Sequence, residues 1–236
     1  MTAQTPDPIS ADRPGIADSS SVVGRGRLQI EMGAQWEKRR SEFSTFFPTL
    51  FRAGLTSRLE ARVEGDTYTT IADVDQHESG LTPISLGFKA LLKRSSDAAP
   101  AVGVIASVTP AWGTGAFAAE KASADARLVV DWNLSEHWSL NPNAGLAWTE
   151  GTSGAFMPGL LALTLSYQPR PGIEWFIDGA AELPEAEDGT ASIVVDAGIA
   201  YIPRQRCQLD ISAGTRAHGR TGPKPFISVG FSIRTR

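Results

Sequence analysis

The chain has 236 residues, 42% of them hydrophobic and 20% charged. That is too apolar for disorder and too charged for a bundle of membrane helices, and the length suits one all-β domain. A net charge of -4 leaves no basic surplus to neutralise phosphates, and the longest cationic run is Lys38-Arg39-Arg40, so no nucleic-acid partner is expected. The single cysteine, Cys207, and the scattered His77, His137 and His218 supply neither a disulfide framework nor metal-ligand spacing, so neither a metal nor a cofactor is expected.

Met1 to about Gly24 is rich in Ser, Pro, Asp and Gly, which predicts an irregular segment, 1–24, near the mouth of whatever follows. From Arg25 the chain alternates runs of about ten residues of period-two hydrophobicity with short stretches of turn residues. Its longest apolar runs, such as Leu160 to Leu165, are far shorter than the roughly 18 residues of a spanning helix. Arg58-Leu59-Glu60-Ala61-Arg62-Val63-Glu64 is the clearest strand, because every second side chain is charged, and a helix would scatter those charges around its axis. The same alternation recurs around Leu28, Ile30 and Met32, around Leu128, Val130 and Trp132, and around Leu209 and Ile211.

Strands are expected at 25–37, 43–55, 58–69, 81–93, 101–112, 124–134, 137–149, 157–168, 172–182, 189–202, 206–216 and 224–234. The fold class is therefore all-β: an antiparallel up-and-down transmembrane β-barrel of about 12 strands over 25–236, an even number as in single-chain bacterial barrels. Tight turns follow even-numbered strands, at Thr56-Ser57, Ser135-Glu136, Gln168 to Pro171 and Pro203 to Gln205. Longer links follow odd-numbered ones, at Thr70 to Gly80, Gly113 to Ser123, Leu183 to Asp188 and Ala217 to Pro223. Arg94 to Pro100 breaks that rule.

Aromatic residues sort by rim. Trp36, Trp112 and Trp148 close odd-numbered strands at the long-loop rim; Trp132, Tyr167 and Tyr201 close even-numbered ones and Trp138 opens an odd one, at the short-turn rim. Two membrane-interface belts result, with lipid as the partner outside.

If apolar positions face lipid, the opposite parity faces the interior: Glu31, Arg52, Arg58, Glu60, Arg62, Glu64, Lys89, Arg127, Asp131, Glu174, Asp178, Asp196, Asp210 and Arg216. Such mixed charges form either a polar transport pathway or a salt-bridge lattice that fills a narrow barrel. No nucleophile elbow, phosphate loop or zinc motif is present, so no catalytic residue is assigned. His77 with Ser79 is the only near pair for a lipid-modifying enzyme, and Cys207 shares parity with lipid-facing Leu209 and Ile211, as a small hydrophobe.

Three segments carry a resemblance: Ala11-Asp12-Arg13-Pro14-Gly15, then Gly24-Arg25-Gly26-Arg27-Leu28-Gln29-Ile30-Glu31, then Phe51 through Arg62. Together they resemble the meta-pathway phenol-degradation family of outer-membrane proteins over roughly the first third of the chain. The resemblance implies a transporter-like barrel linked to uptake of small hydrophobic or aromatic compounds, with Asp12, Arg13, Arg52, Glu60 and Arg62 as motif positions of no catalytic meaning. Two departures stand out: Arg25 replaces the expected proline, and Phe231-Ser232-Ile233-Arg234-Thr235-Arg236 replaces a terminal aromatic.

The expected location is the bacterial outer membrane. The opening Met1-Thr2-Ala3-Gln4 has no basic region or apolar core, so the sequence is expected to be a mature form or to begin downstream of its true start. Function is expected to be that of an outer-membrane channel, with a structural barrel bearing partner-binding loops and a lipid-modifying enzyme as alternatives.

Overall fold

The computed structural model describes residues 8–39, 42–73, 77–96, 99–150, 154–184 and 189–235. Residues 1–7 and parts of the expected links Thr70 to Gly80, Arg94 to Pro100 and Leu183 to Asp188 lie outside the described residues.

Twelve antiparallel strands follow one another around a closed barrel. They are β1 (Leu28–Arg39), β2 (Glu42–Phe46 with Thr49–Gly54), β3 (Leu59–Gly65 with Tyr68–Ala72) and β4 (His77–Leu81 with Ser85–Lys93). Then come β5 (Ala101–Thr109), β6 (Ser123–Asn133), β7 (Trp138–Glu150) and β8 (Ala155–Phe156 with Gly159–Arg170). β9 (Ile173–Leu183), β10 (Ser192–Arg204), β11 (Cys207–His218) and β12 (Phe226–Arg234) complete the sequence. Each strand pairs with the next, and β12 pairs with β1 from Gln29↔Arg234 to Glu37↔Phe226, which closes the ring; among the described residues His77–Leu81 of β4 has a strand partner on one side only.

Period-two patterning fixes which face each strand shows. Leu128 is 46% and Trp132 50% exposed, whereas Val129 between them is fully buried. Outward positions on every strand carry Leu, Ile, Val, Phe and Trp, and inward ones carry Glu31, Arg52, Glu60, Lys89, Asp178, Asp196 and Asp210, all buried. The apolar surface therefore lies outside and the charges lie inside, the inverse of a soluble domain.

Three neighbouring strands are interrupted where the expectation was continuous: β2 at Phe47-Pro48, β3 at Asp66-Thr67 and β4 between Leu81 and Ser85. Pro48 and Pro83 have no N–H for the ladder, and Thr67 has φ +43°, so the pairing is locally replaced. The Thr67 hydroxyl donates to the Phe47 carbonyl at 3.0 Å, and the Thr82 amide to the Thr67 carbonyl at 3.2 Å, tying the three breaks into one crease. Beyond it the ladder continues to Ala72 and resumes at His77, so most of the expected Thr70 to Gly80 loop is strand.

β5 ends at Thr109, not at 112, so Trp112 stands in the link to β6. That link carries a 3-10 turn, Gly115–Phe117, and docks on β4: Leu81 N–H donates to the Thr114 hydroxyl at 2.8 Å, and Thr114 N–H to the Leu81 carbonyl at 3.0 Å. Arg58 likewise falls outside its expected strand, in the exposed turn before β3.

Candidate functional site: a threaded lumen

Residues 8–24 occupy the barrel lumen. Ile9, Ala17, Asp18, Ser20 and Val23 are all buried there. An irregular segment inside a polar barrel must find partners for its own backbone, and the inward side chains supply them. Asp12 and Arg13 amides donate to Glu31 at 2.9 and 3.0 Å, Ile16 to Asp178 at 2.8 Å, Asp18 to Asn143 at 2.8 Å, Ser20 to Asp131 at 2.9 Å and Val23 to Glu60 at 2.8 Å. The segment leaves through Gly24-Arg25-Gly26, whose glycines at φ +82° and +73° turn the chain into β1.

Against β1 to β6 the segment completes an ion lattice. Arg52 pairs with Glu60 at 2.8 Å and Glu31 at 3.0 Å, Lys89 with Asp12 at 2.6 Å, and Arg62 with Asp12, with Asp18 at 3.0 Å and with Glu64 at 2.8 Å. Arg127 joins at 2.8 Å from both Asp18 and Asp125. Burial alone would push the Asp12 carboxyl up, but Arg52, Lys89 and Arg62 around it hold it well below the usual carboxylate range.

Arg13 anchors the segment at the closing seam. Its guanidinium lies in a notch left by Gly33 of β1 and Gly230 of β12, register partners across the closing seam. A Cβ at Gly33 would lie 2.5 Å from Nη2, and one at Gly230 2.5 Å from Nε. From there Nη2 donates to Asp210 at 3.2 Å and to the Ser228 hydroxyl at 3.0 Å.

The expected interior residues thus divide. Glu31, Arg52, Glu60, Arg62, Glu64, Lys89 and Arg127 meet in the lattice; Asp131 holds Ser20, and Asp210 holds Arg13. Asp178 and Asp196 face each other across β9 and β10, with Glu174 nearer the short-turn rim, where it accepts from Ser166 at 3.0 Å. Arg216 donates to the Arg220 and Thr221 carbonyls of the β11–β12 link. Arg58 does not reach the lumen.

Sequence reasoning missed Asp18 on the segment itself, which no periodicity marks, and Gln29, Asn143 and Gln208, which grip the segment from β1, β7 and β11 and whose inward parity was the available signal. Of the aromatics, Trp36, Trp132, Trp138, Trp148 and Tyr201 are exposed on the outer wall. The Trp138 and Tyr167 rings meet at a tilt with centroids 4.8 Å apart, and Trp175, also missed, adds an edge contact to Tyr167 at 6.2 Å. His77 and Ser79 are both exposed on β4, with no hydrogen bond joining them among the described residues.

A closed 12-strand antiparallel barrel with an apolar outer belt, a charged lumen and short turns alternating with longer links has the architecture of outer-membrane β-barrels. More narrowly, the chain belongs to the family described as "Putative MetA-pathway of phenol degradation", whose profile matches residues 11–235. Among solved structures it is similar to the COG4313 outer membrane channel from Pseudomonas putida F1, at TM-score 0.71 and 14% identity, covering 94% of this chain and 99% of that one. It is also similar to the KdgM porin in complex with disordered oligogalacturonate (TM-score 0.57, 8% identity, 89% and 99% covered). The NanC porin gives TM-score 0.55 at 8% identity, with 89% and 99% covered. At such identities the likeness is one of fold. No curated protein sequence matches the chain.

Proposed function

We propose that this protein is an outer-membrane channel for small molecules, with its short-turn rim towards the periplasm and its longer links outside. The observation that carries this reading is that the lumen is threaded but not filled. A cavity of about 830 Å³ opens beside the segment towards the short-turn rim, lined by polar Asn141 and Ser166 together with apolar Leu91, Phe176 and Ile202. The lining also carries Asp131, Glu174 and Arg234 and is more polar than apolar, so it suits small polar or amphipathic solutes, and the reading of hydrophobic or aromatic solutes rests on the family's description. Residues 8–24 then act as the plug, and no catalytic step is needed. The test is single-channel recording in planar bilayers: deletion of Met1 to Val23 is expected to raise conductance above that of the full chain.

The ion lattice favours a second reading, a structural barrel stiffened from within, because Arg52 and Lys89 are wholly buried and paired. If the full-length and truncated proteins are both electrically silent, that reading replaces the channel.

A further inference from the structure

Two cavities reach the plug from opposite ends of the lumen, along the same wall. The larger, about 830 Å³, touches Thr164 and Ser166 of β8, Phe176 of β9 and Ala200 of β10. The smaller, about 250 Å³, touches Ala162 of β8, Ala180 of β9 and Val194 of β10, towards the long-loop rim. On β9 the inward residue between the two sets is Asp178, and on β10 Asp196 falls between them. On the plug Gly15 borders the larger cavity and Ile16 the smaller. One layer of the molecule therefore separates them, made of Asp178, Asp196, Thr164 and the backbone at Gly15-Ile16.

The chemistry of that layer is one-sided. Asp178 and Asp196 are register partners with their carboxyls in contact. Oδ2 of Asp178 accepts from the Ile16 amide at 2.8 Å and from the Thr164 hydroxyl at 3.4 Å, and Asp196 bonds Ser212. Each residue is only 7% exposed, yet Asp178 Oδ1 and Asp196 Oδ1 have no protein partner. The nearby cations are engaged elsewhere, Arg13 with Asp210 and Arg127 with Asp18 and Asp125. Two buried carboxyls side by side either share a proton or hold a cation between them, and carboxylate constrictions are how pores favour cations.

We propose that Asp178 and Asp196 form the selectivity constriction of the channel, a site for small cations passing between the two cavities; this rests on the channel reading above. The free Oδ1 atoms replace part of the ion's hydration, and the Ile16 amide and Thr164 hydroxyl fix the orientation of Asp178.

The experiment is reversal-potential measurement across a potassium chloride gradient in planar bilayers, on protein whose heat-modifiable gel mobility shows a closed barrel. The unaltered chain is expected to prefer potassium over chloride, and Asp178→Asn with Asp196→Asn to lose that preference several-fold while still conducting. Asp196→Asn alone, which leaves the Ile16 and Thr164 bonds to Asp178 in place, is expected to give an intermediate loss. Gly15→Ala would set a Cβ 3.1 Å from Asp178 Oδ2 and is expected to lower conductance with selectivity kept. A conducting channel whose reversal potential is unmoved by the asparagine variants overturns the constriction and leaves the channel reading standing; a chain that conducts in no form overturns both.

Discussion

The two sides of the lumen solve the same problem in opposite ways. Against β1 to β6 the plug is held by alternating charges: Glu31, Arg52, Glu60, Asp12, Arg62, Asp18 and Arg127 each touch a partner of opposite sign. Against β8 to β10 the wall offers Glu174, Asp178 and Asp196 to hydroxyls and backbone amides; the smaller cavity lies mostly on that side, while the larger also reaches Leu91 of β4 and Asp131 of β6. The first arrangement stores stability in ion pairs that cannot be separated cheaply; the second leaves acceptor capacity open to whatever enters. Ion pairs thus dominate one half of the lumen, and carboxyl acceptors facing hydroxyls and amides the other.

Removing a cation from the anchoring half is expected to have the largest effect. Arg52→Ala would leave buried Glu31 without an ion-pair partner among the described residues and buried Glu60 with Arg62 alone, and breaking such a network by removing one partner costs about 3–5 kcal/mol. Denaturant midpoints of the detergent-solubilised protein should fall accordingly, and a change under about 1 kcal/mol would mean that water enters the lattice. On the outer wall, Leu128→Arg at mid-strand should cost about 2–4 kcal/mol of insertion free energy. Arg127→Ala, one residue away but inward, should leave insertion into lipid vesicles intact; equal tolerance of the two would refute the assignment of faces.

Acid should act on the same anchor. Because the folded Asp12 carboxyl is held below its unfolded value, its contribution to docking is complete above the unfolded pKa and lost only as pH falls through the lower folded one. Plug release is therefore expected in strong acid, below the ordinary carboxylate range, and not at mildly acidic pH. Labelling of Ile16→Cys in a Cys207→Ser background would read it. The smallest effect belongs to the open half: Ser166→Ala removes one hydroxyl donor to Glu174 and should cost about 1 kcal/mol or less, with conductance retained.

The barrel was largely legible in the sequence because its dominant signal is local. One face of each strand meets lipid and the other a polar lumen, so alternation marks β6 and β11 unambiguously, and parity alone places Glu31, Lys89 and Asp210 inside. Where the signal becomes non-local it fails. The crease at Phe47-Pro48 and Thr82-Pro83 lies within runs whose hydrophobicity stays periodic on either side, so 43–55 reads as one strand. The plug has no period at all, and its partners, 18 to 216 residues away for Arg13, cannot be found by spacing. The contact of Asp178 with Asp196 depends on the register of β9 against β10, which a turn of one residue more or fewer would shift.

The notch at Gly33 and Gly230 bears on how the protein matures. Its two halves come from the first and last strands, so the seat for the Arg13 guanidinium does not exist until β12 has met β1. The Glu31 carboxylate that receives the Asp12 and Arg13 amides belongs to β1 alone and needs no closed seam. Docking of residues 8–24 on this notch is therefore a report that the ring has shut, because the seat is complete only where both sides of the closing seam have met.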